Sequence, residues 1–302
     1  MDIKRMMTDV LEDLVDKELK QFIWQLCNNV TAGIEPIPRA KLQTSDREDV
    51  VDCMVYIPTS RSQRKGLALL ITNIKFDHLS HRDGAEKDEA NMEWLLTALG
   101  YSVEKHTNLS GDAINMAVKN FSKRHEHRDS DSTFVVIMSH GERIQNKDAI
   151  IGVRYQRNNP NDIFFVEDIF SHLNSEKCPA LIDKPKVILI QACRGGKYGG
   201  LYVSDSAPES DSWVHREKDF VCFMSSLPEI AAYRDPANGS YFIMYIVDVF
   251  STSAHKYGIM ELFRRVASRM EKDQRFTHEM MKLLPCIERT TLVRKFYLFP
   301  GL

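Results

Sequence analysis

The sequence predicts an α/β protein with a mainly parallel sheet that is flanked by helices, preceded by a short helical N-terminal segment. From residue 65 onward, short apolar segments alternate with amphipathic segments of helical periodicity. The apolar segments are continuous runs of Val, Ile and Leu, which is typical of parallel strands covered on both faces. A chain of 302 residues is long enough for one large domain of this class with a small appendage.

The N-terminal segment, residues 1–57, is predicted to be helical. Residues 6–30 carry apolar side chains at helical spacing, and Thr8 precedes an acid-rich first turn. Glycine and prolines in residues 31–42 end this helix. A second short helix is expected at 45–55, with Ser45 as its N-cap. The polar residues 58–64 are then expected to form a linker.

Strands and helices alternate in the rest of the chain. We predict strands at 66–74, 101–107, 132–139, 184–192, 219–226 and 294–300. The helices are expected at 84–100, 110–127, 166–174, 238–254 and 258–271. A segment rich in Gly, Ser and acidic residues, between Gly195 and Asp219, interrupts this alternation. A loop of that length inside a compact domain is either functional or disordered.

The bulk composition excludes several function classes. The formal net charge is −2, which disfavours nucleic acid as the main partner because phosphate binding needs a basic surplus. No apolar stretch is long enough for a membrane span, and the acidic start is unlike a secretory signal, so we predict a cytoplasmic protein. The six cysteines and ten histidines lack the spacing of a disulfide framework or a zinc site. We therefore expect no metal and no cofactor.

Two of the predicted strands end in residues that can carry nucleophilic chemistry. His140 follows the strand at 132–139, and Cys193 follows the strand at 184–192. The carboxyl ends of parallel strands meet at one edge of a sheet, so both side chains are expected there. An imidazole that moves protons and a thiolate that attacks a carbonyl are the minimum for a cysteine nucleophile. Gly141 leaves room for a backbone N–H to approach an oxyanion. A buried core sulfur is the alternative interpretation of Cys193 at this point.

The motif around Cys193 connects the chain to a known family. Q-A-C-R-G with a histidine about 50 residues upstream is a signature of caspases. From about residue 65 to residue 302 the chain resembles a caspase, most closely the inflammatory, interleukin-converting subgroup. The matching stretches, in the family's order, are HRDGAEKD, SDSTFVVIMSHGER, DKPKVILIQACRGG, EKDFVCFMSSLPE, YRDPANGSYFI and FYLFPGL. The resemblance implies a three-layer sandwich around a six-stranded sheet. It also implies that Cys193 is the nucleophile, His140 the general acid and base, and Gly141 with Cys193 the oxyanion hole.

The same resemblance implies a pocket for P1, the substrate residue that precedes the cleaved bond. Arg82, Gln191 and Arg234 stand at the family's positions for this pocket. Two guanidinium groups and one amide can satisfy both oxygens of a buried carboxylate, and few other ligands would offset the burial of two cations. The implied preference is cleavage after aspartate. Outside such a pocket, a lone arginine most often forms a surface salt bridge.

Three further positions concern the substrate residues P2 to P4. The family usually has a tryptophan where this chain has Tyr233, and Ala232 precedes it. These positions line the P2 to P4 region in the family, so the preference beyond P1 departs from the usual pattern. Arg275 stands where the subgroup places another substrate-contacting arginine, before a segment that looks longer than usual.

The Gly-, Ser- and acid-rich segment corresponds to the place where family members, made as zymogens, are cut. The resemblance implies a large subunit, an excised linker and a small subunit at residues 65–205, 206–218 and 219–302. Tyr202-Val203-Ser204-Asp205 resembles the tetrapeptides that the subgroup prefers, and Pro208-Glu209-Ser210-Asp211 is a second candidate. Asp205 and Asp211 are therefore the expected processing sites, and a flexible loop with incidental aspartates is the alternative. The implied assembly is a homodimer of large and small subunit pairs.

Residues 6 to about 55 resemble part of a pyrin-type death-fold domain. Such domains bind a like domain on an adaptor through complementary charged faces, so a pyrin-domain adaptor is a possible partner. The segment has about half the usual length, and a truncated bundle has little core to bury. A vestigial or partly disordered prodomain is the alternative.

Three other functions compete with an aspartate-directed protease that acts in inflammatory or cell-death signalling, with recruitment to inflammasome complexes. A catalytically silent scaffold would keep the fold, but the nucleophile, the histidine and both arginines are present. A pure adaptor would place the function in residues 1–55, which the short length of that segment disfavours. A related cysteine peptidase with basic or asparagine specificity is disfavoured by the two arginines.

Overall fold

The central element of the fold is a six-stranded sheet. The computed structural model describes residues 55–58, 66–194 without 157 and 159, 217–228, 234–273 and 284–298. The sheet strands are β1 (Gly66–Thr72), β2 (Tyr101–Thr107), β3 (Thr133–Met138), β7 (Lys186–Gln191), β8 (Phe220–Met224) and β11 (Cys286–Thr290). Their order is β11-β8-β7-β3-β1-β2. All pairs are parallel except that β11 runs antiparallel to β8, so the mainly parallel sheet predicted from the sequence is confirmed.

Helices cover both faces of this sheet. They are α1 (Ala85–Ala98), α2 (Gly111–Ser122), α3 (Glu167–Leu173), α4 (Tyr241–Ser253) and α5 (Ile259–Glu271). Helices α1, α4 and α5 pack on one face, and α2 and α3 pack on the other. Within the described residues, no helix has the length and apolar character needed to cross a bilayer.

The continuous apolar strands follow from this double cover. Along β3, Phe134 and Val136 contribute to the core under α1, α4 and α5, whereas Val135 and Ile137 contribute to the core under α2 and α3. Successive side chains of a strand point to opposite faces, so a strand buried on both faces needs apolar residues at every position. Every residue of β1, β3, β7 and β8 is buried.

The strand register places three carboxyl ends at the same edge. Thr72 at the end of β1 pairs with Met138 at the end of β3, and Met138 pairs with Gln191 at the end of β7. The loops that follow these strands therefore start side by side.

Two smaller sheets flank this edge and were not predicted from the sequence. A three-stranded antiparallel sheet contains β4 (Gly141–Ile144), β5 (Lys147–Ile151) and β6 (Ile163–Phe165). A short hairpin contains β9 (Arg234–Asp235) and β10 (Gly239–Ser240). Strands of two to five residues carry too little periodicity to stand out from loops.

Two sequence predictions of secondary structure were wrong. Residues 294–298, within the segment predicted as the last strand, form only a bridge between Lys295 and Val55. Their apolar side chains Phe296 and Leu298 are buried in the core instead, and the sixth strand is β11. The helix predicted at 110–127 ends at Ser122, because Arg124 takes an extended conformation before a 3₁₀ turn at His125–Asp129. The predicted helix at 6–30 lies outside the described residues, as does the predicted helix at 45–55 except for its last residue, Val55, which forms the bridge to Lys295.

The buried side chain of Tyr56, which precedes β1 in the sequence, hydrogen-bonds to one residue just before β8 and to another shortly after β11. The Tyr56 hydroxyl donates to Asp219 Oδ1 at 2.6 Å and accepts from the N–H of Val293 at 3.1 Å. Burial, together with the Asp219 carboxylate, raises the pKa of Tyr56 well above its ordinary value. The other carboxylate oxygen of Asp219 is buried without a partner among the described residues, so this hydroxyl is an important donor to a buried anion.

We expect Tyr56→Phe to destabilise the protein by about 1–3 kcal/mol, because it leaves a buried carboxylate short of a donor. Urea denaturation of the Cys193→Ala chain measures the change. The matched control is Tyr257→Phe, which keeps the ring that contacts Arg265. Equal midpoints for the two variants would contradict this account of Tyr56.

Candidate active site

The carboxyl edge of the sheet gathers most of the residues that the sequence singled out. Arg82 lies in the loop after β1, His140 follows β3 directly, and Cys193 follows β7. Arg234 opens the β9–β10 hairpin beside the same loop. The structure thus brings together the two predicted catalytic side chains and the two predicted pocket arginines.

Cys193 lies against the backbone of the β4–β5 sheet. It is a reduced, partly exposed cysteine, unlike the fully buried Cys222. A Cβ atom added to Gly141 would lie 2.6 Å from the carbonyl oxygen of Cys193 and 2.9 Å from the Cβ of Ala192. A side chain at residue 141 would therefore displace the thiol-bearing turn, so glycine is required here for close approach. The backbone of Gly141, the residue that follows His140, therefore lies beside the backbone of Cys193.

The imidazole of His140 is held in one orientation. Its Nε2 atom is 2.8 Å from the carbonyl oxygen of Ser80. A carbonyl oxygen only accepts, so Nε2 carries the proton and Nδ1 is left as the basic atom. The ring of Phe76 covers the imidazole, with ring centroids 4.6 Å apart. Burial, and to a smaller extent the charges of Arg82 and Arg234, lowers the pKa of His140 despite the opposing effect of the Ser80 contact. The neutral form, which can accept a proton, is thereby favoured.

A buried arginine holds the turn that contains Cys193, and sequence reasoning did not identify it. The Arg194 side chain is 1% exposed and donates to both carboxylate oxygens of Asp148, at 2.9 and 2.6 Å. Its NH2 group also lies 2.8 Å from Glu288 on β11. Burial alone would lower the pKa of Arg194, but the two carboxylates outweigh it and raise the pKa. The only sequence signal was the position of Arg194 directly after Cys193.

Among the described residues, Arg82 has no carboxylate within salt-bridge distance. Its side chain is 1% exposed and donates to the backbone oxygen of Asn73 at 2.8 Å. Burial and the neighbouring charge of Arg234 lower the pKa of Arg82 to about 10. It remains protonated at neutral pH, so a buried positive charge faces the site.

Arg234 and Gln191 are the other two predicted pocket residues that the structure describes. The Arg234 Nε donates to the backbone oxygen of Asp83 at 2.7 Å, and burial lowers the pKa of this guanidinium as well. Gln191 is 3% exposed, and its amide oxygen has no hydrogen-bond partner among the described residues. A 180° turn of the amide would present its N–H groups instead. Two partly desolvated cations and an orphan amide are suited to an anionic ligand.

Several predicted site residues lie outside the described residues. They are Ala232, Tyr233, Arg275 and the processing sites Asp205 and Asp211. Within the described part of the chain, no cluster of three or more His, Cys, Asp or Glu side chains is arranged to hold a metal.

The arrangement supports covalent catalysis at a carbonyl. A partly exposed thiol and an imidazole whose basic atom is defined by the Ser80 contact lie at the same edge of the sheet. Arg82 and Arg234, whose charges both act on His140, make this edge electropositive.

Comparison with known families gives one match for the N-terminal part of the chain and another for the rest. Residues 65–297 match the caspase domain. Residues 7–57 match the PAAD/DAPIN/pyrin domain.

Individual relatives agree with these matches. "Caspase b" of Danio rerio is 47% identical in an alignment of 409 positions that covers 100% of both chains. "Caspase a" of Danio rerio is 50% identical over 82% of this chain and 65% of its own length. "Caspase-1" of Canis lupus familiaris is 42% identical over 82% of this chain and 62% of its own length. The chain therefore spans less than two thirds of these last two relatives.

A solved structure shares the fold. "Crystal Structure of Caspase-1 from Spodoptera frugiperda" superposes with a TM-score of 0.66 at 23% identity, covering 81% of this chain and 92% of that one. This likeness supports the three-layer architecture.

We expect Phe76→Leu to raise the pKa of His140 toward the ordinary imidazole value of about 6.5, because water gains access to the ring. A histidine NMR titration measures the shift, with His140→Gln used to assign the signal. His172, whose pKa burial also lowers, serves as the internal control and should not move. An unchanged His140 titration would show that Phe76 does not desolvate the imidazole.

Proposed function

The chain belongs to the caspase family of cysteine proteases, and we propose that it is an endopeptidase that cleaves peptide bonds after aspartate. The observation that carries this proposal is the pair of desolvated cations, Arg82 and Arg234, beside the thiol and imidazole. Among the described residues, each of these two guanidinium groups donates to a backbone oxygen, Arg82 to Asn73 and Arg234 to Asp83. A substrate carboxylate would give both guanidinium groups a charged partner.

The proposed reaction starts with a proton transfer from the Cys193 thiol to Nδ1 of His140. The thiolate attacks the carbonyl carbon of the P1 residue, so that a C–S bond forms and the carbonyl electrons move to oxygen. Backbone N–H groups of Gly141 and Cys193 stabilise this oxyanion. Protonated His140 gives its proton to the leaving amine as the C–N bond breaks, and an acyl-enzyme remains. Water, deprotonated by His140, then releases the acid and regenerates the thiol.

The roles of the surrounding residues follow from this sequence of steps. The Ser80 carbonyl accepts from Nε2 of His140, so that Nδ1, the basic nitrogen, is directed away from the loop that carries Ser80. Arg194 and Asp148 hold the turn that carries Cys193, which fixes the direction of attack. Arg82, Gln191 and Arg234 bind the P1 aspartate. Ala232, Tyr233 and Arg275 contribute to the sites for P2 to P4.

Maturation by cleavage is compatible with the sheet. We assign a large subunit to 65–205, a linker to 206–218 and a small subunit to 219–302, with cuts after Asp205 and Asp211. Strand β7 of the proposed large subunit pairs with strand β8 of the proposed small subunit, from Lys186–Phe220 to Ile190–Met224. Both strands are buried in the same cores. A cut in the connecting segment would therefore leave the subunits associated.

The proposed setting is the cytoplasm, where a homodimer of subunit pairs acts in inflammatory or cell-death signalling. The pyrin match at residues 7–57 supports recruitment by an adaptor that carries a like domain. The protein substrates would present aspartate at P1.

Hydrolysis of fluorogenic tetrapeptides tests the proposal. We expect Tyr-Val-Ser-Asp to be cleaved and Tyr-Val-Ser-Asn to be slower in kcat/KM by roughly 10⁴-fold, because an uncharged amide leaves the buried cations unpaired. Cys193→Ala should abolish turnover, and Cys178→Ala, which changes a core cysteine of the sheet face covered by α2 and α3, should not.

Two outcomes would refute the proposal in different ways. Equal cleavage of the Asp and Asn peptides would remove the aspartate preference while leaving a cysteine protease. Absence of turnover, even after deliberate cleavage at Asp205, would instead indicate a silent scaffold.

A further inference from the structure

A buried carboxylate lies behind the arginine pocket. Asp88, in the first turn of α1, is 0% exposed. Its Oδ1 accepts the backbone N–H of Ser240 at 2.7 Å, and its Oδ2 accepts the Ser240 hydroxyl at 2.5 Å. Ser240 is the N-cap residue of α4, so the carboxylate lies at the positive end of that helix. None of the mechanistic steps above uses Asp88.

These hydrogen bonds attach the hairpin that carries Arg234 to helix α1. Ser240 pairs with Arg234 in the β9–β10 ladder. Between them, Gly239 has a φ of +94°, and an added Cβ would lie 2.3 Å from Asp88 Oδ1. The hairpin turn is therefore shaped around this carboxylate. On the other side, the Lys87 ammonium donates to the backbone oxygen of Ala237.

Asp88 also exerts the largest attractive charge effect on both pocket cations. Of the neighbouring charges that favour the protonated form of Arg82 and of Arg234, the charge of Asp88 has the largest effect on each. Glu86, on the same helix, acts on both arginines more weakly and is exposed to solvent. Burial raises the pKa of Asp88, whereas Ser240 and the two arginines lower it. A buried charge is screened much less than an exposed one.

We propose that Asp88 is the resident counter-charge of the arginine pocket: it stabilises the two cations while the pocket is empty and competes with the acidic side chain of the substrate. Asp88 is a positioning residue, since it acts through Arg82, Arg234 and Ser240. This inference rests on the proposed function in one respect, namely that the ligand of the pocket is an anion.

The charge and the hydrogen bonds of Asp88 can be separated by substitution. Asp88→Asn keeps an oxygen for the Ser240 N–H and a polar group for the Ser240 hydroxyl, but it removes the charge. Glu86→Gln removes one charge from the same helix at an exposed position and is the matched control. Ser240→Ala removes one hydrogen bond to Asp88 and keeps the charge.

The first readout is inhibition of the full chain by the peptide aldehydes Tyr-Val-Ser-Asp and Tyr-Val-Ser-Asn. In Asp88→Asn, the ratio of the Asn to the Asp inhibition constants should rise roughly fivefold, because the competing charge is gone. Glu86→Gln and Ser240→Ala should leave this ratio within about twofold of the wild type. An unchanged or lower ratio in Asp88→Asn would overturn the proposal, since an anchoring role alone would not increase discrimination.

The second readout is stability, and it does not depend on proteolysis. Thermal unfolding is compared for Asp88→Asn, Arg234→Gln and the double variant, all in the Cys193→Ala chain. Asp88→Asn should lower the unfolding midpoint, and the double variant should recover part of the loss because the excess positive charge is removed. If Asp88→Asn does not fold, recovery of folding in the double variant supports the proposal. A double variant no more stable than Asp88→Asn would overturn it.

The two readouts separate failure of this inference from failure of the proposed function. A wild-type chain that neither aldehyde inhibits would count against the aspartate-directed protease, and the thermal comparison would still decide whether Asp88 balances the cations.

Discussion

The register of the parallel strands β1, β3 and β7 is the constraint on which the rest of the molecule depends. Thr72, Met138 and Gln191 are aligned across three neighbouring strands, and both faces of these strands are buried. A shift of one residue would exchange the apolar contacts of the two cores, so the register is strongly specified. The loops that carry Arg82, His140 and Cys193 inherit their relative positions from this alignment rather than from contacts of their own.

Three arginines lie near the carboxyl edge of the sheet, and their positive charges are balanced in two different ways. Arg194 is neutralised locally by Asp148 and Glu288, which makes it a rigid brace beneath the turn at Cys193. Within the described part of the chain, the guanidinium groups of Arg82 and Arg234 donate to backbone oxygens, and the charge of Asp88 acts on both at longer range. Full pairing suits a structural arginine, and incomplete pairing suits a cation that must bind an incoming carboxylate.

The same residue type has different chemistry in different places of this fold. Cys222 is buried in the sheet, and burial raises the pKa of its thiol. Cys286 lies on the edge strand, where burial again raises the pKa, to about 11. Cys193 instead lies in a partly exposed turn at the carboxyl edge of the sheet, where His140 also lies. Position relative to the strand ends, rather than the number of cysteines, distinguishes a core sulfur from a nucleophile.

The sequence alone determined the buried strands, the helices on both faces and the position of His140 and Cys193 at strand ends, because burial and periodicity are local properties of the chain. The resemblance to caspases added the predicted pocket residues Arg82, Gln191 and Arg234. Only the tertiary structure decided that residues 286–290, rather than 294–298, form a strand of the sheet, since an edge strand of mixed polarity is selected by its partner β8. The same holds for the contact of Asp88 with Ser240, two residues 152 positions apart. A pairing across that separation has no local pattern, because it exists only when the sheet and helices have packed.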